Sequence, residues 1–443
     1  MVYWSVWDFT EPCFNRCLLS GPNDLANIPL GNLVFGLIRE IARVRSIRFS
    51  IQPKRVSPEM EKLFRQGKRS LRGMAALVAA CAINPVMVHA ADSIEEAIES
   101  VRSVGTEGKG FEKAIPAARE LQELPADKIT QVLDGADGVN PIAENWIRGI
   151  VFGIAQQSGT PGLNVLKDYV NDQGHNAIGR GIAMELIRRE DPAAAQTMLE
   201  TLLNDSSLAI REMAVEQAIV KAAVLSESQA EGSVAIYREA LTAARHPKQL
   251  SRIVEALGKL GESVTTADAF SLILDWKSIA PFDNERGVGY AAVYAPEQQF
   301  AADGSVDLTV KHEGKNGEIA WQDVAGSSDE GLVNLADTYN KEKGAVAYLY
   351  AEFDSADAKA AQARLGCINA NKVWVNGKEV MATEVYHAGS MLDQYVAPFD
   401  LKKGKNTILL KICQNEQEES WAQRWEFQFR VTDPTGKGLQ SGE

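Results

Sequence analysis

The hydrophobic period of this chain changes after Asp275. Between about residues 92 and 270, apolar residues recur at helical spacing. Beyond Asp275 they fall in short runs, some strictly alternating, separated by Gly, Asn and Asp. A 3.6-residue period and a two-residue period bury different faces, so one secondary structure cannot serve both. The sequence therefore calls for an α part followed by a β part, and its 443 residues are enough for two or three cored domains.

The α part predicts helices near Ser93–Val101, Phe111–Leu121, Ala126–Leu133, Pro141–Gln157, Leu163–Val170, Ile178–Arg188, Pro192–Leu203, Leu208–Val224, Gly232–Ala244, Pro247–Leu260 and Thr265–Phe270. Breaks fall at Gly159-Thr160-Pro161-Gly162, Asn204-Asp205-Ser206-Ser207 and His246-Pro247. Asp191-Pro192 and Ser207 have the chemistry of helix starts. An internal echo runs through this part. Arg148, Arg180 and Arg211 are each followed two and three positions later by apolar residues, and Arg252 opens a looser fourth copy. A spacing of about one helical hairpin argues stacked repeats, with a non-repeating bundle as the other reading. The stretch Asp205–Ala218 resembles the second helix of a HEAT repeat, with Asp205, Arg211 and Ala214 at matching places. The resemblance implies an α-solenoid over 91–270 with a protein-binding concave face. The arginines either line that face or bond neighbouring turns. His175 and His246 stand alone, without metal-ligand spacing.

The β part predicts strands at Val306–Val310, Ala345–Phe353, Gln362–Cys367, Lys372–Val375, Thr407–Cys413 and Trp425–Val431. Asn376-Gly377 marks a hairpin turn, because both central residues of that turn take positive φ. Many short antiparallel strands mean a sandwich or jelly roll. The runs Lys372–Val380 and Leu401–Lys411, with Trp-Val-Asn-Gly at 374–377 and Gly-Lys-Asn-Thr-Ile-Leu-Leu-Lys at 404–411, resemble the galactose-binding-like jelly roll found as the sugar-binding domain of family 2 glycoside hydrolases. A similar domain recurs in large secreted bacterial proteins. Its pattern is also matched by Trp276 with Pro281-Phe282, by Tyr294–Glu297, by Ile319–Trp321 and by Trp421 to Arg430. The resemblance covers residues 271–434 and implies a domain that binds carbohydrate or acts as a spacer. Cys367–Asn371 departs from the pattern, replacing an acidic, glycine-containing loop. The residues after 434 are expected to form a flexible tail.

Candidate ligand residues follow. Trp321, Trp374, Trp421 and Trp425 are each either a stacking platform for a sugar ring or a core plug. Trp374 points away from Val373 and Val375 by strand alternation. Asn376 reads as a turn residue or a ligand contact. Asp303 and Asp307 form half of a calcium loop, with too few oxygens on their own, so calcium is the one cofactor the residues could take. Neither a nucleophile elbow nor a zinc motif is present.

The N-terminal region speaks to destination. Met60, a basic stretch from Lys62 to Arg72, an apolar run from Gly73 to Val88 and the small-residue exit at Val88-His89-Ala90 have the three parts of a secretory signal. This predicts translation from Met60, residues 1–59 as a non-native extension, and cleavage near Ala90. Val78-Ala79-Ala80-Cys81 offers a second reading, lipidation at Cys81. Cleavage would leave only Cys367 and Cys413, a disulfide candidate in an oxidising compartment, or two buried thiols.

The first 90 residues hold 12 basic and 6 acidic side chains, and the remaining 34 basic and 53 acidic give the rest a net −19. That charge repels phosphate backbones and excludes nucleic acid as a partner of the folded part. No run of 18 apolar residues suggests a transmembrane helix. Together these features predict a secreted, periplasmic or cell-surface binding or scaffold protein without catalysis, its repeats contacting protein and its sandwich contacting carbohydrate or protein. The alternatives are a glycoside hydrolase or its accessory subunit, and a purely structural surface protein.

Overall fold

A computed structural model describes residues 93–225 and 229–442. The expectations for 1–59, for the signal at 60–90 and for Cys81 lie outside the described residues. A helical region comes first: α1 Ile94–Arg102, α2 Phe111–Gln122, α3 Ile129–Asp134, α4 Pro141–Ser158, α5 Leu163–Asn171, α6 Ala177–Glu190, α7 Pro192–Leu199, α8 Leu208–Leu225, α9 Ala230–Ala243, α10 Pro247–Lys259 and α11 Thr266–Phe270. Helix starts are set by side chains that accept the free N–H groups of the first turn. Asn140 accepts from Ile142 and Ala143, Asn176 from Gly179, and Asp191 from Ala194. His246 accepts from Lys248 through Nδ1, and prolines at 141, 192 and 247 begin their helices without wasting a donor.

Sequence neighbours pack in pairs, α1 with α2, α5 with α6, α8 with α9, and α9 with α10. The chain α4, α6, α8, α10 also touches in succession. The echoed arginines tie this succession together. Arg148 on α4 reaches Glu185 on α6, Arg180 on α6 reaches Asp205 ahead of α8, and Arg252 on α10 reaches Glu216 on α8. Arg211 bonds the Asp205 carbonyl. These side chains bridge neighbouring helices and turns rather than standing free over a surface. One apolar core runs from α1 into α8, and a second joins α8 through α11.

Two antiparallel sheets follow. Strands β1 Asp275–Asp283, β4 Gln322–Ala325, β6 Ala345–Ser355, β8 Ala370–Val375, β9 Lys378–Thr383 and β11 Gly404–Gln414 make a six-stranded sheet in the order β4-β1-β6-β11-β8-β9. Strands β5 Val333–Asn334, β7 Lys359–Cys367, β10 Tyr395–Leu401 and β12 Glu426–Thr432 make a four-stranded sheet in the order β10-β7-β12-β5. A small hairpin joins β2 His312–Gly314 to β3 Gly317–Ile319. Alternate residues of both large sheets, among them Leu349, Phe353, Val373, Val375, Leu410, Phe427 and Phe429, fill the space between them. Asn376 and Gly377, at φ 51° and 84°, make the tight turn that pairs Val375 with Lys378.

The outer face of the six-stranded sheet is covered as well. Short helices α12 Val288–Ala291 and α13 Ala295–Asp303 lie in the connection after β1, and Phe300, Tyr294, Val306, Leu308 and Trp321 pack with Ile279, Tyr348 and Trp374 from the sheet. Val306–Val310 is therefore not the expected strand: its alternating apolar residues serve this cover without a ladder partner. A last short helix, α14 Leu335–Thr338, precedes β6.

Residues 435–442, expected as a flexible tail, turn back onto the sheets. Leu439 is buried and its N–H bonds Val431, while Gly442 bonds Asp354. Cys367 and Cys413 are free, correcting the disulfide expectation. Strand alternation is the reason. Cys367 points between the sheets, whereas Cys413, one residue past the inward Ile412, points to the opposite face of its sheet. Burial pushes each thiol up to about 12. Among the described residues no helix is long and apolar enough to cross a membrane.

The helical region meets the outer face of the four-stranded sheet. Leu272 bridges to Arg430, whose guanidinium donates to the Phe270 carbonyl and lies 5.2 Å from the Phe270 ring. Arg430 and Arg364 both pair with Asp393, which is 6% exposed.

Candidate functional site at the loop end of the sheets

The four tryptophans have separate fates. Trp425 is fully buried between the sheets, with its indole N–H aimed at the Ile412 carbonyl. Trp374 does point away from Val373 and Val375, but that outer face is closed by the α12–α13 cover. The cover is pinned by Lys411, whose buried ammonium donates to Glu297 at 2.9 Å and to the Ala292 carbonyl at 2.6 Å. Tyr348 donates to the same Glu297 carboxylate at 2.7 Å. Trp321 is half-buried beside this layer, its indole nitrogen sealed from solvent. Trp421 is 56% exposed.

Trp421 sits where both sheets end. Strands β1, β9 and β11 finish and β10 and β12 begin at one edge, so the connections 284–288, 384–394 and 415–425 converge there. They are tied to each other. Asn284 donates to the Tyr386 hydroxyl and to the Gln414 carbonyl, and the Arg286 N–H donates to Glu416. Burial is the main cause that pushes the Tyr386 hydroxyl up to about 12. His387, held at φ 56°, sets its ring edge-on to Trp421 with centroids 4.9 Å apart.

Beneath the tryptophan lies a network of amides. Asn369 donates to Gln414 and to the Arg424 carbonyl, and accepts from the Glu426 N–H. Gln414 donates to the Ala422 and Arg424 carbonyls, and Asn371 donates to the Asn369 carbonyl. Asn369 and Asn371 have no exposed surface. The atypical 367–371 loop thus braces the 415–425 connection from inside. Ala422 and Trp425, both fully buried, anchor it on the side facing the core, and Lys343 donates to the Ala422 carbonyl at 2.8 Å. The indole is presented on a braced turn. Such fixing lowers the ordering cost of a contact.

The other candidates serve the fold. Asn376 donates to Asn406 and accepts from the Thr407 N–H, which holds its own hairpin to the next strand. Asp303 accepts from the Ser305 N–H and hydroxyl, and Asp307 from those of Thr309, so each carboxylate folds its own loop. The Thr309 bonds hold the Asp307 carboxyl below its usual range. Among the described residues no group of three His, Cys, Asp or Glu side chains is gathered for a metal ion. The brace residues Asn284, Gln414 and His387 carried no signal in the sequence, since isolated amides and a loop histidine have no periodicity or motif, whereas Asn369 lay in the 367–371 stretch marked there as a departure.

No family model matches the chain. No curated protein sequence matches it either. Among solved structures, an anti-sigma factor domain-containing protein from Clostridium clariflavum aligns at TM-score 0.20 and 8% identity, over 38% of this chain and 45% of that one. A beta-glucosidase from Kluyveromyces marxianus aligns at TM-score 0.23 and 10% identity, over 43% of this chain and 22% of that one. An alkylpurine DNA glycosylase from Pseudomonas fluorescens aligns at TM-score 0.21 and 12% identity, over 79% and 95%. The chain spans less than half the length of the first two.

Proposed function

We propose that this is an exported, non-catalytic binding protein. A HEAT-like helical array would contact protein, and a galactose-binding-like jelly roll would contact carbohydrate through the Trp421 end. The observation that carries the sugar reading is the indole of Trp421, more than half exposed yet fixed against His387 on an internally braced loop. A sugar ring offers a flat face of C–H groups, and the electron-rich face of an indole complements it. Large aromatics usually bury their area, as Trp374 and Trp425 do here, so a braced exposed one is suited to recognition.

The non-catalytic part rests on how buried carboxylates are used. Asp205 pairs with Arg180, Asp393 with Arg364 and Arg430, and Glu297 with Lys411. A glycosidase needs two carboxyl groups set at a fixed separation across one bond, and these paired carboxylates are committed to the fold instead. Export follows the Met60–Ala90 reading, and N-terminal sequencing of the native protein should begin near Ala91; a peptide from residues 1–59 would overturn it.

The binding reading is tested by a glycan array with the full chain. Saturable binding to at least one glycan class, abolished by Trp421→Ala with the circular dichroism spectrum unchanged, is the expected result. A chain that binds no glycan, or a variant that binds as well as the parent, overturns it.

A further inference from the structure

The surroundings of Trp421 point to one class of sugar. The exposed apolar surface of these loops includes Val385 at 46%, two residues before the His387 that meets Trp421. Its loops also carry Glu384, Glu416, Glu418 and Glu419, all exposed. Glu419 leads into the turn that holds Trp421, and the Ala422 N–H bonds its carbonyl. Glu384 and Glu416 both act on the Tyr386 hydroxyl, one residue from His387. Lys343, the cation that feels Glu418 and Glu419, has its ammonium committed to the Ala422 carbonyl. Arg286 on the adjacent loop is exposed and offsets one charge. Four carboxylates against two exposed guanidinium groups, Arg286 and Arg424, the latter paired with Glu426, leave the rim negative.

Resting on the reading of Trp421 as a sugar platform, we propose that its ligand is a cationic glycan, one whose rings carry protonated amines. A ring stacked on the indole places its substituents at the rim, where ammonium groups meet carboxylates and carboxylate or sulfate groups are repelled. The face of the indole adds to this preference, since its quadrupole attracts cations. Exposed pairs of this kind each favour binding by about twofold to fivefold, and the rim as a whole by about tenfold at low salt. The advantage is screened as the Debye length falls below the span of the loops.

The test compares three ligands of equal length on the full chain by titration calorimetry: a glucosamine oligosaccharide with its amines protonated, its N-acetylated counterpart and a cello-oligosaccharide. The expected result is binding of the amine form about tenfold tighter than either neutral form at low salt, with the gap closing as salt rises. The Glu418→Gln, Glu419→Gln double variant should lower amine binding severalfold without shifting the melting temperature. Trp421→Ala should abolish it. Equal affinity for all three ligands overturns the cationic preference and leaves the sugar platform standing. Binding to none overturns both. Amine binding that survives Trp421→Ala marks a diffuse attraction to an acidic protein and also overturns the proposal.

Discussion

Replacing Asp205 by alanine strands a charge in the helical core, and the structure sets the size of the effect. The Arg180 and Asp205 side chains are 0% and 1% exposed, and the carboxylate meets the guanidinium at 2.6 Å and 3.0 Å. The acceptors that would remain, the Val170 carbonyl, Gln173 and Ser206, are all neutral. Removing one partner of a buried ion pair costs about 3–5 kcal/mol. Asp205 also accepts the Ser207 N–H at 2.7 Å, and leaving that donor unpaired adds about 1 kcal/mol. The sum, about 4–6 kcal/mol, approaches the whole stability of an ordinary domain. Urea unfolding followed by far-ultraviolet circular dichroism reads it out. The Arg180→Met, Asp205→Ala double variant should be less destabilised than Asp205→Ala alone, because the stranded charge is gone. A single variant within about 1 kcal/mol of the parent, or strictly additive effects in the double, would refute the claim that this pair is the junction between α6 and α8.

Three further outcomes follow from the same structure. Trp425→Ala and Trp374→Ala should each cost about 3–5 kcal/mol in chemical unfolding, while Trp421→Ala should change stability by less than about 0.5 kcal/mol; a costly Trp421 change would make it a core residue. Cys367 and Cys413 should resist thiol labelling in the native protein and label fully in denaturant, read by peptide mass mapping, since burial raises both thiols; a disulfide-linked peptide would contradict the free assignment. Burial alone would raise the Asp393 carboxyl, but the Arg430 and Arg364 guanidinium groups outweigh it and the net shift is downward. A lowered folded value gives stability that is present above the unfolded value near 3.9 and lost as pH falls through the folded one. Asp393→Asn should therefore be about 2–4 kcal/mol less stable at neutral pH, with the gap to the parent shrinking below about pH 4; a gap that persists at low pH would show that charge is not its origin.

Periodicity made the division of the chain legible, because burial of one face is dictated by spacing alone. The helix start at Asp191-Pro192, the break at His246-Pro247 and the Asn376-Gly377 turn were equally readable, since each depends on residues adjacent in sequence. Alternation correctly set Trp374 opposite Val373 and Val375. It could not say whether the second face was solvent. That face is closed by residues 288–321, about 50–85 positions earlier in the chain, and no local pattern records such a layer. The same limit applies to the two cysteines. Parity along β11 turns Cys413 away from the inter-sheet core, but β7 lies in the other sheet, and its register against β11 is not written in either strand. The exposure of Trp421, against the burial of Trp425 four residues on, is likewise a property of how a loop lands on an amide network contributed by β8, β11 and the 367–371 turn.

The connection 384–394 serves two places at once. Near its start, His387 stands against Trp421; near its end, Leu392 packs with the core of α8–α11 and Asp393 grips Arg430 and Arg364. The two ends are separated by Gly389, whose Cα faces open space. The His387 end also has its own support, since Tyr386 beside it is held by Asn284, and the tryptophan's turn is held by Gln414 and Asn369 rather than by anything at the junction. A loop braced independently at both ends, with open space at Gly389 between them, transmits little strain. Loosening the joint between helices and sheets through Asp393 should thus reduce stability while leaving the Trp421 surface as it was, whereas cutting the amide network should leave the joint intact and release the tryptophan. On this reasoning the two halves are joined mechanically but recognise their partners separately.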